Sequence, residues 1–197
     1  MIDIIKHDIT EQDNVWFTAD HHFGHANIIK YTRRPFADAI EMDKMLVERW
    51  NEVVRPEDTV FHLGDFTLAA RMPYVDKLSG RIRVVPGGHD FRWLRQKTCP
   101  VEVLPPLVTL EFETGGAYPL VVVLCHYPML SWDRSHYGSI HLHGHTHGTV
   151  LPGRSSDVKM PPGQKQGCRL DIGVDCWDFR PVNLRTITET VQSWGEP

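Results

Sequence analysis

Val15-Trp16-Phe17-Thr18-Ala19-Asp20-His21-His22-Phe23-Gly24-His25-Ala26-Asn27-Ile28-Ile29 reads as one complete strand, loop and helix unit. Residues 15–19 are apolar or β-branched and predict a short buried strand, while 26–31 predict a helix. Between them the chain places Asp20, His21 and His22 at the strand's end, where open α/β sheets put their ligand sites.

Working outward, the same arrangement recurs. A strand over 59–63 delivers Gly64-Asp65, one over 81–85 delivers Pro86-Gly87-Gly88-His89-Asp90, and one over 119–125 delivers His126. A further apolar run leads into Gly144-His145-Thr146-His147. Met42, Met45, Leu46, Trp50, Val53 and Val54 recur at helical spacing over 40–54, with Glu41, Asp43, Lys44 and Glu48 on the opposite face. Residues 69–78 read as a helix closed by Gly80. Strands are also expected over 101–103 and 107–113, the latter joined to 119–125 by a turn at Gly115-Gly116. The order thus shifts from alternating α and β to mostly β. Residues 151–168 are rich in Pro, Gly, Ser and Lys and read as one long surface loop, an insertion rather than a lid. A strand over 170–174 and a helix over 184–194 finish the chain. Neither a repeat nor a linker interrupts it, so residues 1–197 are expected to form one domain.

Composition narrows the function classes. The net charge is −4, and Lys and Arg form no run long enough to track a nucleic-acid backbone, so extended nucleic-acid binding is not expected. Membrane binding is not expected either, since no apolar run approaches the roughly 20 residues that span a bilayer. Cys99, Cys125, Cys168 and Cys176 lack CxxC spacing and read as reduced thiols in or near the core. With no signal-peptide pattern at the start, the expected location is the cytoplasm. Histidine is the unusual residue: of twelve in 197 residues, six fall from His126 to His147.

Two divalent cations held side by side need a bridging carboxylate plus oxygen and imidazole ligands from separate strands. Asp20, His22, Asp65, His126, His145 and His147 supply that set. In Asp-x-His and His-x-His, alternation on an extended chain would turn both ligands to one side. Gly64, Gly87 and Gly144 would relieve crowding where backbone nears the ions. Two carboxylates against two divalent ions leave net positive charge, which favours an anionic substrate such as phosphate.

With these motifs in place, the chain resembles the calcineurin-like metallophosphoesterase family, in particular its small bacterial and phage members. Residues 18–29 match the family's opening motif, and the similarity extends from about 15 to 182, including Gly173-Val174-Asp175-Cys176-Trp177. The resemblance implies a four-layer αββα sandwich of two mixed β-sheets flanked by helices. It implies that Asp20, His22, Asp65 and His147 bind one metal and that Asp65, His126 and His145 bind a second, with Asp65 as the bridge. Manganese is the favoured ion, with iron, zinc, nickel and cobalt as alternatives. His89 would serve as general acid or leaving-group stabiliser, with Asp90 orienting its ring. The implied activity is hydrolysis of phosphate esters, phosphodiesters favoured, by attack of a metal-bridging hydroxide. The partner is a small phosphate ester, nucleotides included.

One position departs from the family pattern. Where the third motif carries a metal-ligand Asn, this chain has Gly88, so the second site is expected to be one ligand short and more weakly occupied, with water or substrate filling the gap and activity lower or altered, unless a neighbour such as His21 compensates. Two other readings stand beside the enzyme: a catalytically weakened metal-binding scaffold or regulatory protein of the same fold, and a nuclease acting on nucleic-acid ends. His25, His136, His141 and His143 are expected to be structural or surface residues, His141 or His143 reaching at most the surroundings of the site. Tyr127, Trp132, Phe23 and Phe91 read as core packing, and Arg33-Arg34 as a solvated pair.

Overall fold

The computed structural model describes residues 3–7, 14–96, 99–154 and 166–194. In chain order its strands begin β1 (Asp3–His7), β2 (Val15–Thr18), β3 (Thr59–His62), β4 (Arg81–Val84), β5 (Glu102–Val103) and β6 (Leu107–Phe112). They continue with β7 (Leu120–Cys125), β8 (Ile140–His143), β9 (Gly153–Arg154), β10 (Cys168–Asp171) and β11 (Val182–Asn183). The helices are α1 (Ala26–Thr32), α2 (Ala39–Val53) and α3 (Leu184–Ser193).

The strands form two mixed sheets. One runs β11-β2-β3-β4-β5, parallel except for β11; the other runs β1-β6-β7-β8-β10-β9. In the first sheet, alternation sends Val15, Phe17 and Phe61 inward, against Val108, Leu110, Val122, Leu124 and Leu142 of the second. Val60, Ile82 and Val84 face the other way, against Met42, Leu46 and Trp50 of α2. Burial on both faces explains why these strands read as nearly unbroken apolar runs. Asp38 caps α2 by accepting from the Ile40 and Glu41 N–H groups, and Asn183 caps α3 by accepting from Thr186 N–H.

Several expectations change. Asp43, assigned to the solvated face of α2, is buried, and both of its carboxylate oxygens lie 3.0 Å from Gly24 N, which ties the helix to the loop after His22. The segment 69–78 is not an α-helix but holds a single 3₁₀ turn over Val75–Lys77. Pro73 has no N–H to donate and Tyr74 takes φ 65°, so no helix can run through. The flanking is also one-sided among the described residues. Helices α1 and α2 cover the first sheet, whereas the outer residues Val121 and Val123 of the second are covered by Trp132 and Met129 from the irregular segment after β7. The 151–168 segment is tied down at both ends, with β9 antiparallel to β10; its central part, 155–165, lies outside the described residues, and with it the choice between insertion and lid. Of the four free cysteines, Cys168 is buried, whereas Cys99 and Cys176 are exposed rather than in the core. No described helix is long and apolar enough to cross a membrane.

The strand ends converge. Asp20 N–H bonds Gly64 O, Val85 N–H bonds His62 O and Gly144 N–H bonds His126 O, so the loops after β2, β3, β4, β7 and β8 lie together. A parallel bridge between Ala19 and Gly173 joins the two sheets at this edge.

Candidate metal centre

All six ligand-type residues named from the sequence meet here. Their side-chain atoms fall into overlapping groups within 4.8 Å: Asp20 with His22 and His147, His22 with Asp65 and His89, and Asp65 with His126 and His145. Asp65 is the hinge of the set. Its Oδ2 lies 3.4 Å from His126 Nε2, 3.7 Å from His22 Nε2 and 3.8 Å from His89 Nε2. These spacings are too long for good hydrogen bonds. Two ligands each about 2.1 Å from one ion stand about 3.0 to 3.5 Å apart, a range that the 3.4 Å separation meets and the other two slightly exceed.

The backbone achieves this in an unexpected way. Asp20, His22, Asp65, His145 and His147 all have positive φ, between 47° and 70°. Neither Asp-x-His nor His-x-His is therefore an extended pair, and strand alternation is not what aligns them. Left-handed residues fold each loop back on itself instead. The glycines relieve a different crowding from the one expected: a Cβ on Gly87 would stand 2.4 Å from Asp65 Oδ1, and one on Gly144 would stand 2.7 Å from Asp20 Oδ2. They let neighbouring loops approach the ligand carboxylates.

Hydrogen bonds fix which imidazole nitrogen faces the cluster. His126 Nδ1 is 2.7 Å from Leu63 O and donates to it, so Nε2 is the nitrogen that faces Asp65. His147 Nδ1 donates to Asp175 Oδ2 at 2.7 Å, leaving its Nε2 for the Asp20 group. Arg34 in turn grips both oxygens of Asp175, at 2.8 and 2.7 Å, and donates to the carbonyls of Asp20 and His21. Arg34 is thus buried under the ligand loop rather than solvated. Burial alone would raise the Asp175 carboxyl, but the bonds from His147 and Arg34 outweigh it and hold it at about 2.

Several buried atoms of the cluster have no partner among the described residues: Asp20 Oδ1, both ring nitrogens of His22, and His126 Nε2. Burial pushes the Asp20 carboxyl up to about 7 and drives His22 down to about 2. Burial would lower His126 as it lowers His22, yet its contact with Asp65 lifts it to about 9. Asp65 goes the other way: burial would raise it, but His126 and the His89 N–H hold it below the usual carboxylate range. Buried, unpartnered oxygen and imidazole donors around a carboxylate fit a pair of first-row divalent cations.

Asp90 does not do what the sequence reading assigned to it. Its Oδ2 accepts from the N–H groups of Asp65 and Gly87, both at 2.8 Å, and its Oδ1 from Phe66 N–H and Trp93 Nε1–H at 3.0 and 2.9 Å. With four donors on two oxygens, it anchors the Asp65 loop and leaves the His89 ring alone. That ring, with its side chain 45% exposed, stands at the mouth of the cluster beside His22 and His25. Asp171, not singled out from the sequence, does for the His145-His147 loop what Asp90 does for Asp65, accepting from Thr146 Oγ1, Gly148 N–H and Gly173 N–H. A carboxylate two residues before a glycine at a strand's end was the available signal, and it is a common one.

Gly88 contributes no side chain, and His21 does not make up for it. Gly64 N–H donates to His62 Nδ1, which places the His62 proton on Nε2, 2.9 Å from His21 Nδ1. His21 is fully buried against Phe23, Trp50 and Phe66, turned away from the ligands. His141 is structural: its Nδ1 donates to Val123 O and its Nε2 accepts from Met129 N–H. Phe23 and Trp132 are buried as expected, but Tyr127 and Phe91 are each 47% exposed.

No family model matches the chain. A solved structure, the protein of unknown function AQ665 from Aquifex aeolicus, shares the fold with a TM-score of 0.64 and 24% identity, covering 89% of this chain and 98% of that one. The gene 66 proteins of Mycobacterium phages D29 and L5 are each 27% identical, over 86% and 83% of this chain and 92% and 87% of their own. The uncharacterized protein MJ1445 of Methanocaldococcus jannaschii is 30% identical over 183 residues, 90% of this chain and 91% of its own. With that identity sustained along nearly the whole of both proteins, the chain belongs to the family of MJ1445.

Proposed function

We propose that this protein is a metal-dependent phosphoesterase of the metallophosphoesterase fold, hydrolysing phosphate esters and favouring phosphodiesters. The observation that carries the reading is the chain of ligand groups hinged on Asp65, with its buried donor atoms left unpartnered. Asp20, His22, Asp65 and His147 would hold one divalent ion, and Asp65, His126 and His145 the other, manganese being the favoured metal. Ions so placed supply Lewis acidity toward phosphoryl oxygens and water of lowered pKa.

The remaining chemistry belongs to the chain. Asp175 and Arg34 hold His147 in the tautomer that presents Nε2, and Leu63 O does the same for His126. His89 stands outside the buried carboxylates, where a proton on its ring can pass to a departing alkoxide. His145 is exposed and His89 only half-covered, so the second substituent of a diester has room to extend into solvent. That openness favours diesters over small monoesters.

Metal analysis of protein purified without chelators should find bound ions, the site beside Gly88 less fully occupied than the other, and manganese add-back should bring the total close to two per chain. Hydrolysis of bis(p-nitrophenyl) phosphate should be abolished by chelator and restored by manganese. Two bound ions without turnover of any phosphate ester would support the scaffold alternative, and absence of bound ions after add-back would overturn the reading altogether.

A further inference from the structure

Gly88 leaves a gap beside the Asp65–His126–His145 group, and one side chain reaches over it. A Cβ built on Gly88 would stand 3.1 Å from the hydroxyl oxygen of Tyr127, the nearest atom to that position. The Tyr127 ring is wedged against the ligand histidines, with centroids 4.8 Å from both His126 and His145 and interplanar angles of 80° and 67°. Two edge-on contacts fix the direction of a ring that is nearly half exposed. Among the described residues no hydrogen-bond partner engages its hydroxyl.

Resting on the phosphoesterase reading, we infer that the Tyr127 hydroxyl is a substrate-binding group, donating a hydrogen bond to a non-bridging phosphoryl oxygen at the His126–His145 side of the centre. A phenol suits this role because it donates one hydrogen bond and projects from a ring whose position the ligand histidines already set. Gly88 is what makes room for it. A side chain at 88 would enter the space the hydroxyl occupies, so Gly88 and Tyr127 act as a matched pair in which one residue withholds a side chain and the other fills the gap.

Tyr127→Phe removes the hydroxyl and keeps the ring contacts. The first measurement is on the unaltered protein: manganese content, and binding of inorganic phosphate to the manganese-loaded form by calorimetry. If it binds neither ions nor phosphate, the phosphoesterase reading falls and this inference with it. Given binding, Tyr127→Phe should keep two ions per chain while its phosphate dissociation constant rises about tenfold or more and kcat/KM for bis(p-nitrophenyl) phosphate falls about tenfold to hundredfold, the range for a lost hydrogen bond to a charged group. Unchanged phosphate affinity and unchanged kcat/KM would overturn the inference and leave the phosphoesterase reading intact. Loss of an ion on Tyr127→Phe would also overturn it, since the phenol would then serve the metal and not the phosphate. Gly88→Ala is an independent check: its methyl group crowds the hydroxyl, so it should weaken phosphate binding in the unaltered background and have little effect in Tyr127→Phe. Equal effects in both backgrounds would count against the pairing.

Discussion

Replacing Asp90 by Asn separates two accounts of this residue. Its carboxylate accepts four hydrogen bonds, from Asp65 and Gly87 N–H on Oδ2 and from Phe66 N–H and Trp93 Nε1–H on Oδ1. An amide keeps one acceptor oxygen, so one of these pairs would face an NH2 group, donor against donor, in a fully buried setting. Losing two bonds to a charged acceptor costs about 1.5–3 kcal/mol each, so the expected destabilisation is about 3–6 kcal/mol. Against a typical domain stability of about 5–15 kcal/mol this is a large fraction. The assay is urea unfolding in chelator, which removes any contribution from ion binding, paired with manganese titration of the folded variant. Stability should drop by that amount, and manganese affinity should fall with it because the Asp65 loop loses its anchor. If Asp90 instead oriented the His89 ring, the variant would keep its stability and metal affinity and lose only turnover; a change under about 1 kcal/mol with kcat reduced would refute the anchoring account.

Asp175→Asn should weaken manganese binding by about tenfold to hundredfold, because His147 loses the acceptor that fixes its tautomer; competition titration with a chelating dye measures this, and unchanged affinity would count against the role. His89→Gln should lower kcat by at least about a hundredfold for alkyl phosphodiesters and much less for nitrophenyl diesters, whose leaving group needs no proton; equal losses for both would argue against proton donation. Acid should destabilise the chelated protein. Burial keeps His21 well below its ordinary value, His22 at about 2, His62 at about 3 and His141 at about 4, so below pH 6.5 the unfolded chain takes up four protons that the folded one refuses. Stability from these groups is therefore full above pH 6.5 and lost as the pH falls. Asp20, at about 7, binds a proton when folded over the same interval and offsets one of the four, so the net effect is still a loss of stability as the pH falls. Urea midpoints that stay flat from pH 7 to 5.5 would refute this.

The strand ends were legible in the sequence because apolar runs bounded by Gly, Asp and His need no tertiary information to interpret. For β2, β3, β4 and β7 the structure differs by about a residue at the ends. β1 carries little local signal: Asp3-Ile4-Ile5-Lys6-His7 is short and charged at both ends, and it gains its place by pairing with β6. Over 69–78, apolar periodicity points to a helix that Pro73 forbids. Of the candidate centre, the ligand types could be read directly, whereas the residues that orient them could not. Arg34 looks like half of an exposed basic pair, and only the fold brings Asp175, 141 positions later, against its guanidinium. Asp90 sits next to His89 in the chain, which made a local partnership attractive; its real partners are backbone groups of a different loop.

The most informative departure lies in the backbone. Ten described residues other than glycine have positive φ, and five of them are Asp20, His22, Asp65, His145 and His147. Three of the others, Arg33, Tyr74 and Arg134, cap helices or 3₁₀ turns, where such angles are routine. The ligand residues have no such excuse, and a left-handed residue costs roughly 1–2 kcal/mol, somewhat less for Asp and His, which tolerate it better. Strain of that size survives only where surrounding bonds impose it. Here they do: Asp90 takes the N–H of Asp65, Asp20 takes the N–H of His145, Asp171 takes the N–H of Gly148, and Asp65 takes the N–H of His89. Were the Asp20-His21-His22 loop to relax to an extended strand, the bonds from Asp20 N–H to Gly64 O, from His22 N–H to Asp65 O and from His145 N–H to Asp20 Oδ2 would be lost and the converging ligand groups would part. The carboxylates that would hold the ions, or that brace the ligand loops, also keep the backbone in the one conformation that lets them converge, which is why Asp-x-His points the right way here for a reason unrelated to strand alternation.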